Sequence, residues 1–525
     1  MKKQLLVLLI SVPFSIHAQN PDWSVHIAPI LYKNCVSCHH TGGIAPFSLI
    51  TYNDAVIHAS DIQYQVTTGK MPPWPPDPQY NRLAHERVLT PSEINDINDW
   101  VNSFTPLGDT TLAPVPPVFT PGAILPGTPD LKVQILFYTV NSTADMYRCF
   151  VIPSGLLTSR YFSAMEIIPG NSSIVHHVLA YYDTTGACAA LDAQDTLPGY
   201  TSFGGVGSNS AVLMGGWVPG TIPYPLPQGM GIRIAANADV VLQIHYPAGS
   251  SGQGDSTSIN FFFYPQASVV RNVIVAPILN HFFTMTNGPL VIPANTTQTF
   301  HEQFQLPPIN ISLLAIGPHM HLIGRNIVSY AVTPATDTIP FIRINDWDFH
   351  WQGFYQFPKV LKVPASSMLH ASAFYDNTVN NPHNPNNPPQ TVYAGESTTD
   401  EMMLVYFFYL FYQNGDENII IDSNIVSGIH PLENEIAGNE MHLYGAFPDA
   451  SGNSFVLRFY NPAPAPVTVQ MADVSGKILF SMNEKFFSAG IHEIKIASRN
   501  FNNGLFLVSL TEGNKMTSGK VLLMR

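Results

Sequence analysis

Apolar positions along this chain follow two rhythms. Up to about residue 110 they fall at helical spacing: Pro29 to Asn34 reads as helical, Tyr52 to Val66 as an amphipathic helix, and Thr90-Pro91-Ser92-Glu93 forms a capping box ahead of Ile94, Ile97 and Val101. Residues 19–110 are therefore expected to form a small α-helical domain. Residues 111–128 are Pro, Gly and Thr with almost no charge, a composition that suits a stiff linker. Beyond it the period shortens, and Val240 to Tyr246, Ser258 to Tyr264, Ile311 to Ile316, Met368 to Tyr375 and Met402 to Tyr412 read as strands between Gly, Pro and Asn clusters. That length suits two β-sandwiches, 129–270 and 271–445. A last set of evenly spaced strands, Phe455 to Tyr460, Val467 to Met471, Ile478 to Met482, His492 to Ile496, Leu505 to Leu510 and Val521 to Met524, predicts an Ig-like β-sandwich over 451–525. The expected fold is mainly β and multidomain, with one small helical domain.

Composition agrees with that reading. Only 11% of residues are charged, and 45 Pro and 36 Gly punctuate the short apolar runs. A net charge of -13 leaves no basic surface for phosphates, which excludes nucleic acid as a partner. Lys2-Lys3, the apolar run Leu5 to Ile16 and then Ala18-Gln19 have the order of a secretory signal, residues 1–18, so an exported protein is expected, secreted or attached at the cell surface. Of four cysteines, two belong to a motif with another use, which leaves Cys149 and Cys188 to form a disulfide by elimination.

That motif is Cys35-Val36-Ser37-Cys38-His39. In C-x-x-C-H two thiols add to haem vinyl groups and the next imidazole takes an axial position on iron. Met71, on the Pro-stiffened run Gly69-Lys70-Met71-Pro72-Pro73-Trp74, is the candidate for the second axial ligand, with His58 and His40 as rivals. Gly42 to Pro46 and Met71 to Trp74 resemble the short cytochrome c domains that bacteria fuse to redox enzymes, which implies one covalently bound c-type haem.

His176-His177, His245 and His319-Met320-His321 all lie in strand-like sequence, as do the neighbours of Met402. Imidazoles joined by a thioether favour copper, whereas zinc catalysis would usually add a carboxylate or thiolate. Alternate residues of a strand share a face, so His319 and His321 are expected to hold one ion together.

Four segments in this order resemble the copper type II ascorbate-dependent monooxygenases, the peptidylglycine alpha-hydroxylating and dopamine beta-hydroxylating enzymes. Ile174 to Leu179 is similar to the family's paired-His strand and Leu242 to Tyr246 to its Gln-x-His-Tyr segment; Pro318 to Gly324 is similar to its His-x-His segment and Ser397 to Met402 to the segment that contributes methionine. The resemblance implies two copper ions. One would be held by His176, His177 and His245 and handle electrons; the other, held by His319, His321 and Met402, would bind and activate dioxygen, with Met403 as the rival sulfur. It further implies hydroxylation of a C–H bond of a small organic substrate by O2. Electrons would come from an external donor, an ascorbate-like reductant or a redox protein, through the fused haem. A non-enzymatic exported haem and copper protein is the alternative. The Arg that anchors a substrate carboxylate in the peptide-processing enzymes is Gly317 here, an Asn beyond the methionine is Leu404, and Tyr406 matches a substrate-side tyrosine, so a peptide C-terminus is a poor substrate guess.

Two further segments stand apart. Asp346 to Gln352 is aromatic-rich and could line a pocket, although a packed strand is the commoner explanation. Asp473 to Lys477, Gly504 to Val508 and Lys520-Val521 resemble the C-terminal sorting domain of the type IX secretion system, which implies that machinery as a partner.

Overall fold

The computed structural model of the chain describes residues 20–119, 125–202, 205–221, 223, 225–349, 351–426, 441–448, 454–473, 476–488, 490–497, 501, 504–513 and 515–523. The expected signal segment, part of the expected linker and His350 lie outside the described residues. Strand makes up 40% of the chain and helix 12%, so the protein is mainly β. Its contacts divide into two units, residues 1–73 with 87–121, and residues 74–86 with 122–525.

The first unit is helical. A single π-type turn, Trp23–Ile27, runs into the helix Ala28–Asn34, and Tyr52–Ile57, Ala59–Thr67 and Pro91–Asn102 follow. The stretch expected as one helix from Tyr52 to Val66 is two, broken at His58, whose φ of -105° and ψ of 13° leave the helical region. Both Thr51 with Asp54 and Thr90 with Glu93 close capping boxes, each side chain taking up an otherwise orphaned backbone N–H. The faces turned inward bring Trp23, Leu31, Ile62, Ile97 and Trp100 into one core.

The second unit opens with two sandwiches. One pairs a sheet carrying Arg160–Ile168, Met230–Ile234 and Ser258–Phe263 with a sheet carrying Met146–Pro153, His177–Asp183, Val212–Trp217 and Asp239–Tyr246. The other pairs Ile274–Asn280, Ile311–His319, Tyr355–Val363 and Leu404–Phe411 with Thr297–Gln305, Gly324–Val332, Thr338–Ile344 and Met368–Asp376. In Met368–Asp376 buried and half-buried residues alternate without exception, the period-two pattern that one covered face imposes. Asp239–Tyr246 is instead buried along nearly its whole length, as a strand covered on both faces must be. Leu314, Val360 and Leu410 of the second sandwich join the core of the first, so the two share apolar packing. Farther along, Ser454–Asn461, Ala465–Asp473, Gly490–Ala497 and Gly504–Glu512 belong to a further pair of small sheets around Phe455, Phe459, Val469 and Val508.

Residues 74–86 are built into the second sandwich. Pro76 bridges Ile344, Asp77 N–H donates to Arg343 O at 2.7 Å, and Ala84 N–H donates to Gln356 O at 2.8 Å. Arg343 grips the Asp77 carboxylate through Nε at 3.0 Å and Nη2 at 2.7 Å, a two-pronged pairing that a lysine could not reproduce. Leu83 is 1% exposed within the sandwich core, a burial that contributes about 1.5–3 kcal/mol.

One buried group breaks the pattern. Phe300 and Glu302 both face inward from Thr297–Gln305, yet neither Glu302 oxygen has a hydrogen-bond partner among the described residues. Burial pushes this carboxyl from 4.5 up to about 9. Between those values the folded chain keeps a proton that the unfolded chain has released, so the group's contribution to stability is present at low pH and is lost as pH rises. The expected slope is on the order of 1.4 kcal/mol per pH unit. Urea midpoints measured from pH 5 to pH 9 should fall more steeply in the native protein than in Glu302→Gln, and equal slopes would show that Glu302 does not hold its proton.

Candidate metal centres

Two neighbouring strands create the three-histidine cluster. His177 opens His177–Asp183 and pairs directly with His245 of Asp239–Tyr246. Adjacent residues inside a strand point to opposite faces, but His176 precedes the strand, its N–H donating to His245 O at 2.9 Å, and its ring turns to the same side as His177. The Nδ1 atom of His176 lies 3.2 Å from Nδ1 of His177 and 3.2 Å from Nδ1 of His245, and one ligand atom from each of the three residues falls within 4.8 Å of the others.

These spacings fit a metal ion. Two nitrogens held about 2.0 Å from one ion at a tetrahedral angle stand about 3.3 Å apart. A single proton can be shared across each facing pair, whereas a cation satisfies all three lone pairs at once. Burial, reinforced by His245 and His176, holds the His177 imidazole well below its ordinary value, so it is neutral and able to ligate. Around the cluster, Tyr147 stacks flat on His245 at 4.3 Å and 2°, and Asp145 Oδ1 stands 3.7 Å from His245 Nε2. That contact, ahead of the opposing effect of burial, keeps the Asp145 carboxyl well below the usual range.

The second group is set differently from the expectation. His319 ends Ile311–His319 and His321 lies beyond the strand, so the pair does not share a strand face; the chain turns, and the two rings stand 5.1 Å apart and 87° to each other. Their Nδ1 atoms are both occupied, His319 with Gln352 Oε1 and His321 with Asp400 O at 3.2 Å. Nε2 of each is thereby left for a ligand role, the arrangement that fixes a tautomer. Burial lowers His319 to about 4 and, with His319 beside it, His321 to about 3. Glu401, fully buried, pins this turn: one carboxylate oxygen accepts from His321 N at 2.9 Å and Met402 N at 3.1 Å, the other from Ile323 N at 2.8 Å. Burial pushes its carboxyl up to about 8 against the pull of those donors.

Met402 lines a cavity of about 570 Å³ together with His319, His321 and Tyr406, and His177 and Tyr147 of the first sandwich line the same cavity. Met403 points away into the sandwich core. Glu396 is the cavity's one carboxylate, and neither Lys nor Arg lines it among the described residues. At Gly317, directly across from Tyr406 in the sheet, a Cβ would come within 2.4 Å of Phe354 Cδ1. The Phe354 ring thus fills the space that a side chain at this position would need.

Within the helical unit, Cys35 caps Ala28–Asn34, and Cys38 N and His39 N both donate to Cys35 O, at 3.1 and 3.0 Å. Both thiols are free, and burial pushes that of Cys35 up to about 12. His39 Nδ1 bonds Phe47 O at 3.1 Å, which leaves Nε2 outward. Of the three residues considered as a further haem ligand, Met71 is half-buried with its N–H on Gln65 O, His58 stacks on Phe47 at 3.7 Å, and His40 is held by Val36 O at 2.8 Å and by Phe119.

Two expectations need correction. Cys149 and Cys188 share one small buried cluster with Tyr200, but no disulfide joins them; both are free thiols, and Cys188 Sγ donates to Val206 O at 3.7 Å. The described residues 346–349 and 351–352 of the aromatic run are not a packed strand but a loop against the histidines, because Trp347 Nε1 donates to His321 O at 3.2 Å and Gln352 bonds His319. Phe349 and Gln352 were named only within a run that could line a pocket, Glu401 only within the methionine segment, and Asp145 and Phe354 not at all, because the sequence offers no signal for side chains that act by reaching a histidine far along the chain.

Residues 284–423 match the family model described as "Copper type II ascorbate-dependent monooxygenase, C-terminal domain". The chain is 25% identical to "DBH-like monooxygenase protein 2" of Mus musculus, over 53% of this chain and 45% of that protein. It is 21% identical to "Putative DBH-like monooxygenase protein 2" of Homo sapiens, over 58% and 60%, and 21% identical to "Dopamine beta-hydroxylase" of Homo sapiens, over 47% and 42%. The chain therefore spans about half the length of the curated relatives it matches. Solved structures of a β-glucuronidase from Ruminococcus gnavus align at 12% identity over 46% of this chain and 37% of that one, with a TM-score of 0.12, a likeness that carries no weight. No helix among the described residues is long and apolar enough to cross a membrane. The matches support, for this chain, the family of copper type II ascorbate-dependent monooxygenases, and with it copper as the metal.

Proposed function

We propose that this protein is a copper-dependent monooxygenase that hydroxylates a C–H bond of a small organic substrate with O2, drawing electrons from an external reductant through a fused c-type haem. The observation that carries the copper reading is that the Nδ1 atoms of His177 and His245 each stand 3.2 Å from Nδ1 of His176, with His177 on the wall of a cavity that His319, His321 and Met402 also line. His176, His177 and His245 would hold one copper, and His319, His321 and Met402 the other. Copper bound there supplies one-electron steps and dioxygen activation.

The chain's own residues do the rest. Gln352 and the Asp400 carbonyl orient the two imidazoles, and Glu401 holds the backbone that carries His321 and Met402. Burial, then the nearby Glu396, raises Tyr406 above its ordinary range, so its hydroxyl stays protonated and can donate a hydrogen bond to substrate. With Phe354 over Gly317 and neither Lys nor Arg lining the cavity among the described residues, no fixed side-chain cation pairs with a carboxylate, and the substrate is one without that group.

Cys35, Cys38, His39 and Met71 would hold the haem, which would supply one-electron transfer. In this reading the domains are a haem domain at 19–110, copper domains at 129–270 and 271–445, and a module at 451–525 that the type IX secretion machinery recognises on an exported chain. The test is metal analysis joined to isotope labelling. Purified protein should hold about two coppers and one covalent haem and should place one atom of labelled O2 in an organic product. Metals that cycle between oxidation states with no label in product would turn the reading into a non-enzymatic electron carrier; copper without haem would remove the relay alone.

A further inference from the structure

The loop between Ile344 and Tyr355 touches both groups of histidines through one apolar side chain. The Phe349 ring lies over His176 at 4.9 Å and 18°, and it meets His321 edge-on at 5.9 Å and 88°. His176 belongs to the first sandwich and His321 to the second. The loop that carries Phe349 is fixed on both sides. Trp347 N–H donates to Arg325 O at 2.9 Å and its indole donates to His321 O, while Gln352 Nε2 donates to Phe349 O at 2.6 Å and Gln352 Oε1 receives His319. Phe349 itself is 9% exposed.

We infer that Phe349 is a positioning residue that orients the His176 and His321 rings together and keeps water from between them; the inference rests on the copper reading above. Stacked and edge-on ring contacts each contribute about 0.5–1.5 kcal/mol beyond the area they bury. A ring with two torsions holds such contacts rigidly. An apolar body in the gap also lowers the local dielectric, so charge at one metal position is felt more strongly at the other. Neither imidazole loses a ligand atom when Phe349 changes, yet both lose the surface against which they are set. A flexible side chain of similar volume fills the gap without supplying that surface.

The experiment uses the full-length protein with Phe349→Leu and, as the ring-keeping variant, Phe349→Tyr. Histidine-selective NMR of the metal-free chain reads ring-current shifts at His176 and His321, and titration with Cu(I) against a chromophoric chelator reads affinity at both sites. Phe349→Leu should move both imidazole signals together and weaken Cu(I) at both sites by roughly tenfold, the effect expected of a group that orients ligands. Phe349→Tyr should stay close to the native protein in both readouts. A shift at only one histidine, or shifts at both with Cu(I) affinity unchanged, would overturn the inference while leaving the copper reading intact. Native protein that takes no Cu(I) at either site would overturn both.

Discussion

Under the proposed function, replacing Met402 by alanine should lower hydroxylation by on the order of a hundredfold or more, while copper taken up by the three histidines and the absorption of a bound haem stay unchanged. The side chain lines the cavity beside His319 and His321, so its sulfur is the group lost. The main chain survives the change, because Tyr375 Oη donates to the Met402 carbonyl at 2.7 Å and needs no side chain there. Met403→Ala is the matched control. That residue is fully buried in the sandwich core, so its truncation costs about 2–5 kcal/mol in stability with the cavity lining intact. Copper per chain, labelled-oxygen incorporation and melting temperature separate the two. If Met402→Ala keeps full activity, Met402 has no part in the chemistry.

Glu401→Ala should do both kinds of damage at once. Its carboxylate accepts from the backbone of His321, Ile323 and Met402, all in the interior, and alanine leaves those three donors without an acceptor. Each orphaned donor costs about 1–3 kcal/mol, so a loss of at least about 3 kcal/mol is expected in urea unfolding. Copper at the His319 and His321 position should weaken by about 10- to 100-fold, because the turn that carries its ligands is no longer pinned. Glu401→Gln keeps one accepting oxygen and should fall between the native protein and the alanine variant. Native stability in Glu401→Ala would mean that the turn holds itself.

Much of this was open to reading along the chain, for physical reasons that differ from element to element. Met368–Asp376 announces itself because a sheet with one covered face must alternate. Thr90 and Glu93 mark the start of Pro91–Asn102 because an exposed N–H has few other ways to be satisfied. The meeting of His176, His177 and His245 was anticipated from the order of motifs, and the structure brings those rings together. The mode of approach was not legible: His176 and His321 reach their places from outside the strands, where no alternation rule applies. Asp346 to Gln352 was hidden for a similar reason, since a run of aromatics looks the same in a packed strand and in a loop pressed on imidazoles. Cys149 and Cys188 show the limit of counting cysteines, because pairing requires sulfurs brought to bonding distance and not only a shared neighbourhood.

The strap of residues 74–86 makes the amino-terminal helical unit hard to detach. The polypeptide leaves the helices after Pro73, lends Leu83 and Asp77 to the second sandwich and returns at Arg87. A truncated protein that began in the linker would forfeit a plug of its own β interior along with the helical portion. A version reduced to the β-rich unit would have to keep residues 74–86 or refill the space that Leu83 takes in its core.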